Sequence, residues 1–526
     1  MIKSQSSLRR LFLALTCIIA TTVSGAFSAA EAKVTLSKLF VDGGIIQRDK
    51  PVNVFGTARP GEIVACEMAG NKGVCIVKKS GNFLVTLPPP QGDGPFTLRV
   101  VGDNLIEVKN LTPGEVWIVA GDEGIEKDSL QAAAPIDSAD LPPSLQLFKV
   151  PIRLSDAPIR LVDGRWLKAT EPGAMSFSAL GLRFGCDLAK QVGGPIAIIQ
   201  VSCPESPIKS WISAGGLLSK QETAGASGKS TLRKADYEKL NDEYRASLQA
   251  WQAGLTAGKE PAPKPLPSVL MRSAASALFN GMVAPLTPYS VRGVVWDHGA
   301  SDIAEVLNYK NFLAVFLKDL RQVLRQEGLP VIMLQSGALG EAQKGDDSPI
   351  SVLRHVQFRA RVWPRTYMAV GVDMDKRDAK TGAISTDFDT LAQRVANIAL
   401  TTQYRTPAPI SYPIIETVEP VADGEALKLR LRHADKGLVY KGTPSDKERD
   451  KGQGNGKETV SIKGFSVSSW NHQYFDADAE LQNDTIIVRS KFVKQPKFVR
   501  YGWGNSPALG LYSQDDLPLV PYISDR

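Results

Sequence analysis

The stretch Gly114-Glu115-Val116-Trp117-Ile118-Val119-Ala120-Gly121-Asp122-Glu123-Gly124-Ile125-Glu126-Lys127 decides the fold. Val116 to Ala120 reads as a buried parallel strand, and Gly121 to Lys127 as a glycine-bounded loop at its carboxyl end. Open α/β sheets place their chemistry at such loops. This loop is therefore expected to form the floor of a site.

Downstream, further buried-strand candidates at Ile196–Val201, Val291–Trp296, Val331–Gln335 and Met368–Val372 alternate with helical patterns. The helical patterns are Phe177–Gln191, Tyr309–Gln326, Pro349–Val362 and Phe388–Gln403. Alternation of this kind implies a doubly wound parallel sheet with helices on both faces, over residues 114–405. An insertion at about 215–268 interrupts it. There Tyr237, Leu240, Tyr244, Leu248, Trp251 and Leu255 recur at helical spacing, giving an amphipathic helix over Lys234–Leu255, followed by a proline-rich tether from Pro261 to Pro267. Such a stripe packs against a core or walls one side of a cleft.

Upstream, residues 33–113 carry short strand-like runs, Val52–Gly56, Ile63–Ala65, Phe83–Leu87 and Phe96–Val100, separated by turn signals. They predict a small antiparallel β-sandwich. Residues 406–526 return to strand patterns, clearest at Leu427–Leu431 and Thr485–Val488, with a polar glycine-rich loop over 441–457.

With 526 residues the chain is too long for one core. Lys3, Arg9 and Arg10 before the apolar run Leu11–Ala20, with Ala30-Glu31-Ala32 after it, read as a secretory signal over residues 1–32, cleaved near Ala32. Secreted or periplasmic location follows, and no later segment is apolar enough to span a bilayer. The formal charge of +7 falls to about +5 when Lys3, Arg9, Arg10 and Glu31 are set aside, and the basic residues are scattered, which argues against nucleic acid. Cys17 lies in the signal. Cys66 and Cys75 flank the turn signal Gly70-Asn71-Lys72-Gly73 and could bridge across a hairpin, whereas a Cys186–Cys203 bridge is arithmetic alone. No Cys/His spacing suggests zinc, and no metal or cofactor is expected.

The chain resembles the sialate O-acetylesterases, a branch of the SGNH hydrolases. The likeness rests on Leu39-Phe40, on Gln47-Arg48-Asp49-Lys50-Pro51-Val52, and on the strand-to-loop stretch quoted above. It extends to Val499-Arg500-Tyr501-Gly502-Trp503-Gly504-Asn505, Leu511-Tyr512 and Leu517-Pro518, and so covers nearly all of the mature chain. It implies an SGNH-hydrolase-like doubly wound sheet flanked by N-terminal and C-terminal antiparallel β domains. The implied activity is carbohydrate acetyl-ester hydrolysis, with an acetylated glycan as ligand.

Such an esterase needs a serine, a histidine base oriented by an aspartate, and an oxyanion hole of backbone N–H groups and an asparagine amide. Where the family has Gly-Gln-Ser-Asn-Met, this chain has Gly121-Asp122-Glu123-Gly124-Ile125, so Glu123 takes the nucleophile position. Pro204 and Glu205 replace oxyanion glycines in Cys203-Pro204-Glu205-Ser206-Pro207-Ile208-Lys209-Ser210-Trp211, and proline has no N–H. Asp302 replaces the oxyanion asparagine in Trp296-Asp297-His298-Gly299-Ala300-Ser301-Asp302, exchanging a donor for a negative charge. The histidine position falls near Ile384, and no histidine occurs from 356 to 432.

These losses predict a non-catalytic protein that binds a carbohydrate or a protein partner in a cleft formed by Asp122, Glu123, Gly124, Glu205, Trp211, His298 and Asp302. Trp117, Trp211 and Trp296 are cleft aromatics or core. Two alternatives stand beside this reading. One is an esterase using a displaced serine, Ser129, Ser206 or Ser301, with His298 as base. The other uses Asp122, Glu123, Glu205 and Asp302, with His298 nearby, for glycoside hydrolysis or as a cation site.

Overall fold

The computed structural model describes residues 33–525 except 131–135, 138–139, 228–231, 258–261, 339–347, 378–383, 422, 442–461, 483 and 508. The signal reading over 1–32, nearly all of the loop over 441–457, and Gly382 and Ala383 lie outside the described residues.

The central sheet is built from β1 (Leu105–Gly121), β2 (Leu145–Lys149), β3 (Trp166–Lys168), β4 (Ile196–Ser202), β5 (Gly293–Asp297), β6 (Val331–Leu334) and β7 (Thr366–Ala369). Their spatial order is β3-β2-β4-β1-β5-β6-β7, parallel throughout except for the antiparallel edge strand β3. The first strand in sequence thus lies in the middle, and the chain leaves it first to one side and then to the other. That arrangement opens a crevice at the carboxyl end of β1.

Alternation along β1 sorts its side chains onto two cores. Val116, Ile118 and Ala120 pack with Phe312, Leu313, Phe316 and Leu320 of α4 (Val306–Val323) and with Ile350 and Leu353 of α5 (Pro349–Ala360). Trp117 and Val119 face Leu180, Leu182, Phe184 and Leu188 of α2 (Ala179–Val192) and Leu391, Val395 and Ile398 of α6 (Phe388–Gln403). Helices therefore cover both faces. Local caps set their starts: Ser178 accepts from the Gly181 N–H at 3.2 Å, and Asp387 from Thr390 N–H at 3.0 Å.

The insertion folds as a helix over Lys234–Thr256, α3, close to the expected span. Only Tyr237, Asn241 and Tyr244 of it are buried. Asn241 fastens it by accepting from Leu154 N–H at 3.2 Å and donating to Leu154 O at 2.8 Å. It does not line the crevice.

β1 runs unbroken through 113 and 114, so the strand passes directly from the N-terminal sheet into the central one. Pro113 is tolerated because Ile45–Gln47 pairs alongside Thr112–Gly114, and the Gln47 amide oxygen accepts from Val116 N–H at 2.8 Å. Gln47 also donates to Glu115, a buried carboxylate held by Arg292 at 2.6 Å, Arg48 at 3.2 Å and the Tyr404 hydroxyl at 3.1 Å. The Gln47-Arg48 motif thus latches the N-terminal strands to β1 at Gly114–Val116, where β1 enters the central sheet, at the end of that sheet away from the crevice.

The N-terminal strands are Thr35–Leu36, Val52–Thr57 and Asn82–Leu87 in one sheet, with Ile63–Met68, Asn71–Ile76 and Phe96–Val101 added to the start of β1. The hairpin turn is Ala69-Gly70, both at positive φ, two residues earlier than the turn signal had suggested. Cys66 therefore pairs with Gly73 and Cys75 with Val64. The two cysteines are diagonal rather than opposed, and all four described cysteines are free, so the plausible Cys66–Cys75 bridge is not formed and neither is a Cys186–Cys203 pair.

The C-terminal region forms a seven-stranded antiparallel sheet, with Leu427–Arg432 and Thr485–Arg489 as adjacent strands, over its own core of Leu429, Phe465, Val467, Ile486, Val488 and Tyr501. Its Trp503-Gly504-Asn505 segment docks on α5. Arg354 donates to Gly504 O at 2.7 Å and Asn505 O at 3.0 Å, and also to Ser336 O at 2.9 Å on the crevice wall. No helix among the described residues is long and apolar enough to cross a membrane.

Candidate functional site

At the carboxyl ends of β1, β4, β5 and β6 lies a cleft of about 720 Å³. Asp122, Glu123, Gly124 and Lys127 form its floor, Glu205 and Asp297 to Ser301 one side, and Leu334 to Ala338, Asp375, Thr386, Phe388 and Leu391 the other. Five of these residues are acidic, against one lysine.

Asp122 is the hub. It caps α1 (Glu123–Glu126), with Oδ1 accepting from the Glu123 N–H at 3.0 Å and from the Glu205 N–H at 2.6 Å. Its Oδ2 accepts from the Ser301 hydroxyl at 2.5 Å. The Glu123 and Glu205 N–H groups and the Ser301 hydroxyl are therefore already taken up by one side chain.

Glu205 adopts φ +53, the left-handed region where side chains cost about 1–2 kcal/mol. Its side chain is drawn aside to Arg272 at 2.7 Å, on a guanidinium that is itself nearly buried. Arg272 also reaches Pro204 O at 3.5 Å.

Asp297 was not singled out by sequence reasoning, yet its carboxyl group faces the cleft. It sits above Gly124, where an added Cβ would lie 2.0 Å from Oδ2, and its carbonyl accepts from Asp122 N–H at 2.8 Å beside Gly121. No described residue hydrogen-bonds its carboxyl oxygens. Burial, reinforced by Asp122, Asp375 and Glu123 and opposed by Lys127, pushes its acid up to about 7. Asp375, also unforeseen, is occupied by Ala338 N–H at 2.7 Å and the Thr386 hydroxyl at 2.6 Å.

His298 lines the cleft wall but is buried. Its Nε2 donates to Ser206 O at 2.8 Å, leaving Nδ1 as the only acceptor, and Nδ1 is buried without a partner. The ring stacks on Trp296 at 5.1 Å and on Tyr309 at 6.1 Å, so it is a packed element of the wall. Asp302 does not reach the cleft. It turns inward to accept from Ile208 N–H at 2.8 Å, with His298 Nε2 at 3.7 Å, and burial raises its acid. Trp211 lies beneath the cleft as well, edge-on to Trp296 at 5.4 Å with its indole N–H on Ser206 Oγ at 3.0 Å. Trp117 is fully buried against Phe184. All three tryptophans are core.

Of the three serines considered, Ser129 is buried and away from the cleft, and Ser206 is buried with its hydroxyl on Cys203 O at 2.6 Å. Only Ser301 opens onto the cleft, and it is bonded to Asp122. The segment carrying Ile384 supplies Thr386 and Phe388 to the wall rather than an imidazole. Among the described residues no group of three or more His, Cys, Asp or Glu side chains could hold a metal ion.

Behind α1, Glu126 is nearly buried. Burial alone would raise its acid, but Lys149 at 3.2 Å, Lys264 and the Ser202 hydroxyl at 2.6 Å bring it below the ordinary range. Lys264 belongs to the proline-rich tether, so this cluster pins the insertion under the cleft floor.

No family model matches the chain. The human sialate O-acetylesterase is 23% identical over 400 residues, covering 68% of each chain, and the rat sialate O-acetylesterase is 22% identical over 412 residues, covering 68% of this chain and 71% of its own. A crystal structure of a carbohydrate acetylesterase from Xanthomonas citri superposes with a TM-score of 0.72 at 25% identity, over 94% of this chain and 99% of that one. By these comparisons the chain is similar to the sialate O-acetylesterases and to a carbohydrate acetylesterase of solved structure.

Proposed function

We propose that this chain is an exported SGNH-hydrolase-like protein that binds a carbohydrate in the cleft at the end of β1 and does not hydrolyse esters by the serine route. Residues 1–32 act as its signal, and residues 33–113, 114–405 and 406–526 as its N-terminal β, central α/β and C-terminal β domains. The names of its relatives supply the carbohydrate, and the cleft supplies the room.

One observation carries the loss of hydrolysis: Asp122 holds both the Glu205 N–H and the Ser301 hydroxyl. Acyl transfer needs free donors aimed at the developing oxyanion. Here three cleft donors, the Glu123 and Glu205 N–H groups and the Ser301 hydroxyl, already serve a carboxylate, and a second anion about 4 Å from it would be opposed by about 1 kcal/mol in water and about 4 kcal/mol at a partly buried site. Glu123, in the nucleophile position, has a side chain 70% exposed and 4.0 Å from Lys127. His298 has its Nε2–H committed to a carbonyl.

A second reading has one observation in its favour. Ser301 Oγ is in the cleft and hydrogen-bonded to a carboxylate, the beginning of a nucleophile–base pair. A fluorophosphonate probe of serine nucleophiles separates the two. Intact-mass analysis of the mature chain is expected to show no adduct. A stoichiometric adduct mapped to Ser301 would overturn the non-catalytic reading.

A further inference from the structure

The cleft carboxylates are not equivalent, and the difference selects a ligand. Asp122 is saturated by three protein donors, Asp375 by two, and Glu205 is withdrawn to Arg272. Asp297 faces the same space over the bare Cα of Gly124, with no described partner for its carboxyl oxygens. We infer that the cleft takes an uncharged saccharide, gripped through a hydroxyl by Asp297, and rejects sugars bearing a carboxylate, sialates among them. This rests on the carbohydrate-binding reading and narrows it.

The charge pattern supplies the selectivity. Facing Asp297 are Asp122, Glu123 and Lys127 from the end of β1 and α1, and Asp375 from the hairpin beyond β7. Among the described residues Lys127 lies 4.0 Å from Glu123 and Arg272 holds Glu205, so an anionic ligand would meet five carboxylates and compete with Glu123 for Lys127. A sugar hydroxyl suits Asp297 in either protonation state, since it accepts from a carboxylic acid and donates to a carboxylate. A sugar carboxylate can bond only to the acid form, and it meets growing repulsion as Asp297 loses its proton. Neutral binding therefore persists as pH rises, while anionic binding falls.

Isothermal titration of the mature chain tests this with neutral xylo- and cello-oligosaccharides, plain and O-acetylated, against N-acetylneuraminic acid and its O-acetylated form. Neutral sugars are expected to bind at least about tenfold more tightly than the acidic ones at about pH 8, with a smaller gap at about pH 5. Asp297→Ala is expected to weaken neutral binding about tenfold. Asp297→Asn keeps the volume and the hydrogen bonding, so it should hold neutral binding and relax the exclusion of acidic sugars. Acidic sugars binding as tightly as neutral ones, or neutral binding indifferent to Asp297→Ala, would overturn the inference while leaving carbohydrate binding intact. Binding of neither class would overturn the carbohydrate reading and this inference with it.

Discussion

Replacing Asp297 by asparagine should stabilise the protein, and more so in alkali. Its acid is pushed up to about 7, whereas an unfolded aspartate titrates near about 4. Between these values the native state holds a proton that the unfolded state has released, so stability falls as pH rises through the window and is flat above it. The full shift is equivalent to about 4 kcal/mol at about pH 8 and to between about 1 and 2 kcal/mol at about pH 5. Asp297 is half-buried and touches solvent on its cleft side, so roughly half of each figure is the reasonable expectation. Asparagine has the same shape and no charge to desolvate, so Asp297→Asn should gain roughly 2 kcal/mol at about pH 8 and less than about 1 kcal/mol at about pH 5. Urea unfolding of both proteins at the two pH values, followed by tryptophan fluorescence, measures this. A variant less stable than the parent at both pH values, or a gain that does not depend on pH, would refute the electrostatic account of the cleft.

Lys264→Ala should leave Glu126 with Lys149 alone among its described cation partners, costing about 2–3 kcal/mol and speeding proteolytic cleavage in the 215–268 insertion, read by limited trypsin digestion. Trp296→Ala removes the ring on which Trp211, His298 and Phe316 pack, and should cost about 3–5 kcal/mol, measured as a lowered denaturation midpoint. Burial pushes Cys66 up to about 12 and Cys186 up to about 11, and Cys203 higher still, so iodoacetamide at about pH 8 should leave these three unmodified in the folded protein. Reductant should not shift the melting temperature, since the four cysteines are free.

The sheet and its helices were legible because periodicity reports burial, and both faces of the central sheet are buried. Phe388–Gln403 and the 234–256 helix coincide with their patterns almost to the residue. The passage of β1 through Pro113-Gly114 was not legible. A proline and glycine pair reads locally as a break, but the neighbouring Ile45–Gln47 strand bonds through Thr112 and Gly114 on either side of the proline, so the ladder passes it without needing its N–H. The cleft floor at Asp122, Glu123 and Gly124 followed from strand-end placement. Asp302 and Trp211 were expected in the cleft, but the loops after β5 and β4 turn them inward, where Asp302 meets the Ile208 N–H and Trp211 meets Trp296. Asp297 carried a signal that went unread: it ends the strand directly after a core tryptophan, opposite a glycine whose missing Cβ makes room for it. Asp375 had none, because its short hairpin has no hydrophobic period.

The central claim is that this cleft binds sugar without cleaving esters. The most direct measurement is acetate release from O-acetylated xylo-oligosaccharides and O-acetylated sialic acid by the purified protein, alongside its Ser301→Ala and Glu123→Ala variants. The account predicts release no faster than from heat-denatured protein, in all three. Turnover by the parent that either substitution abolishes would contradict it and return the chain to the working esterases.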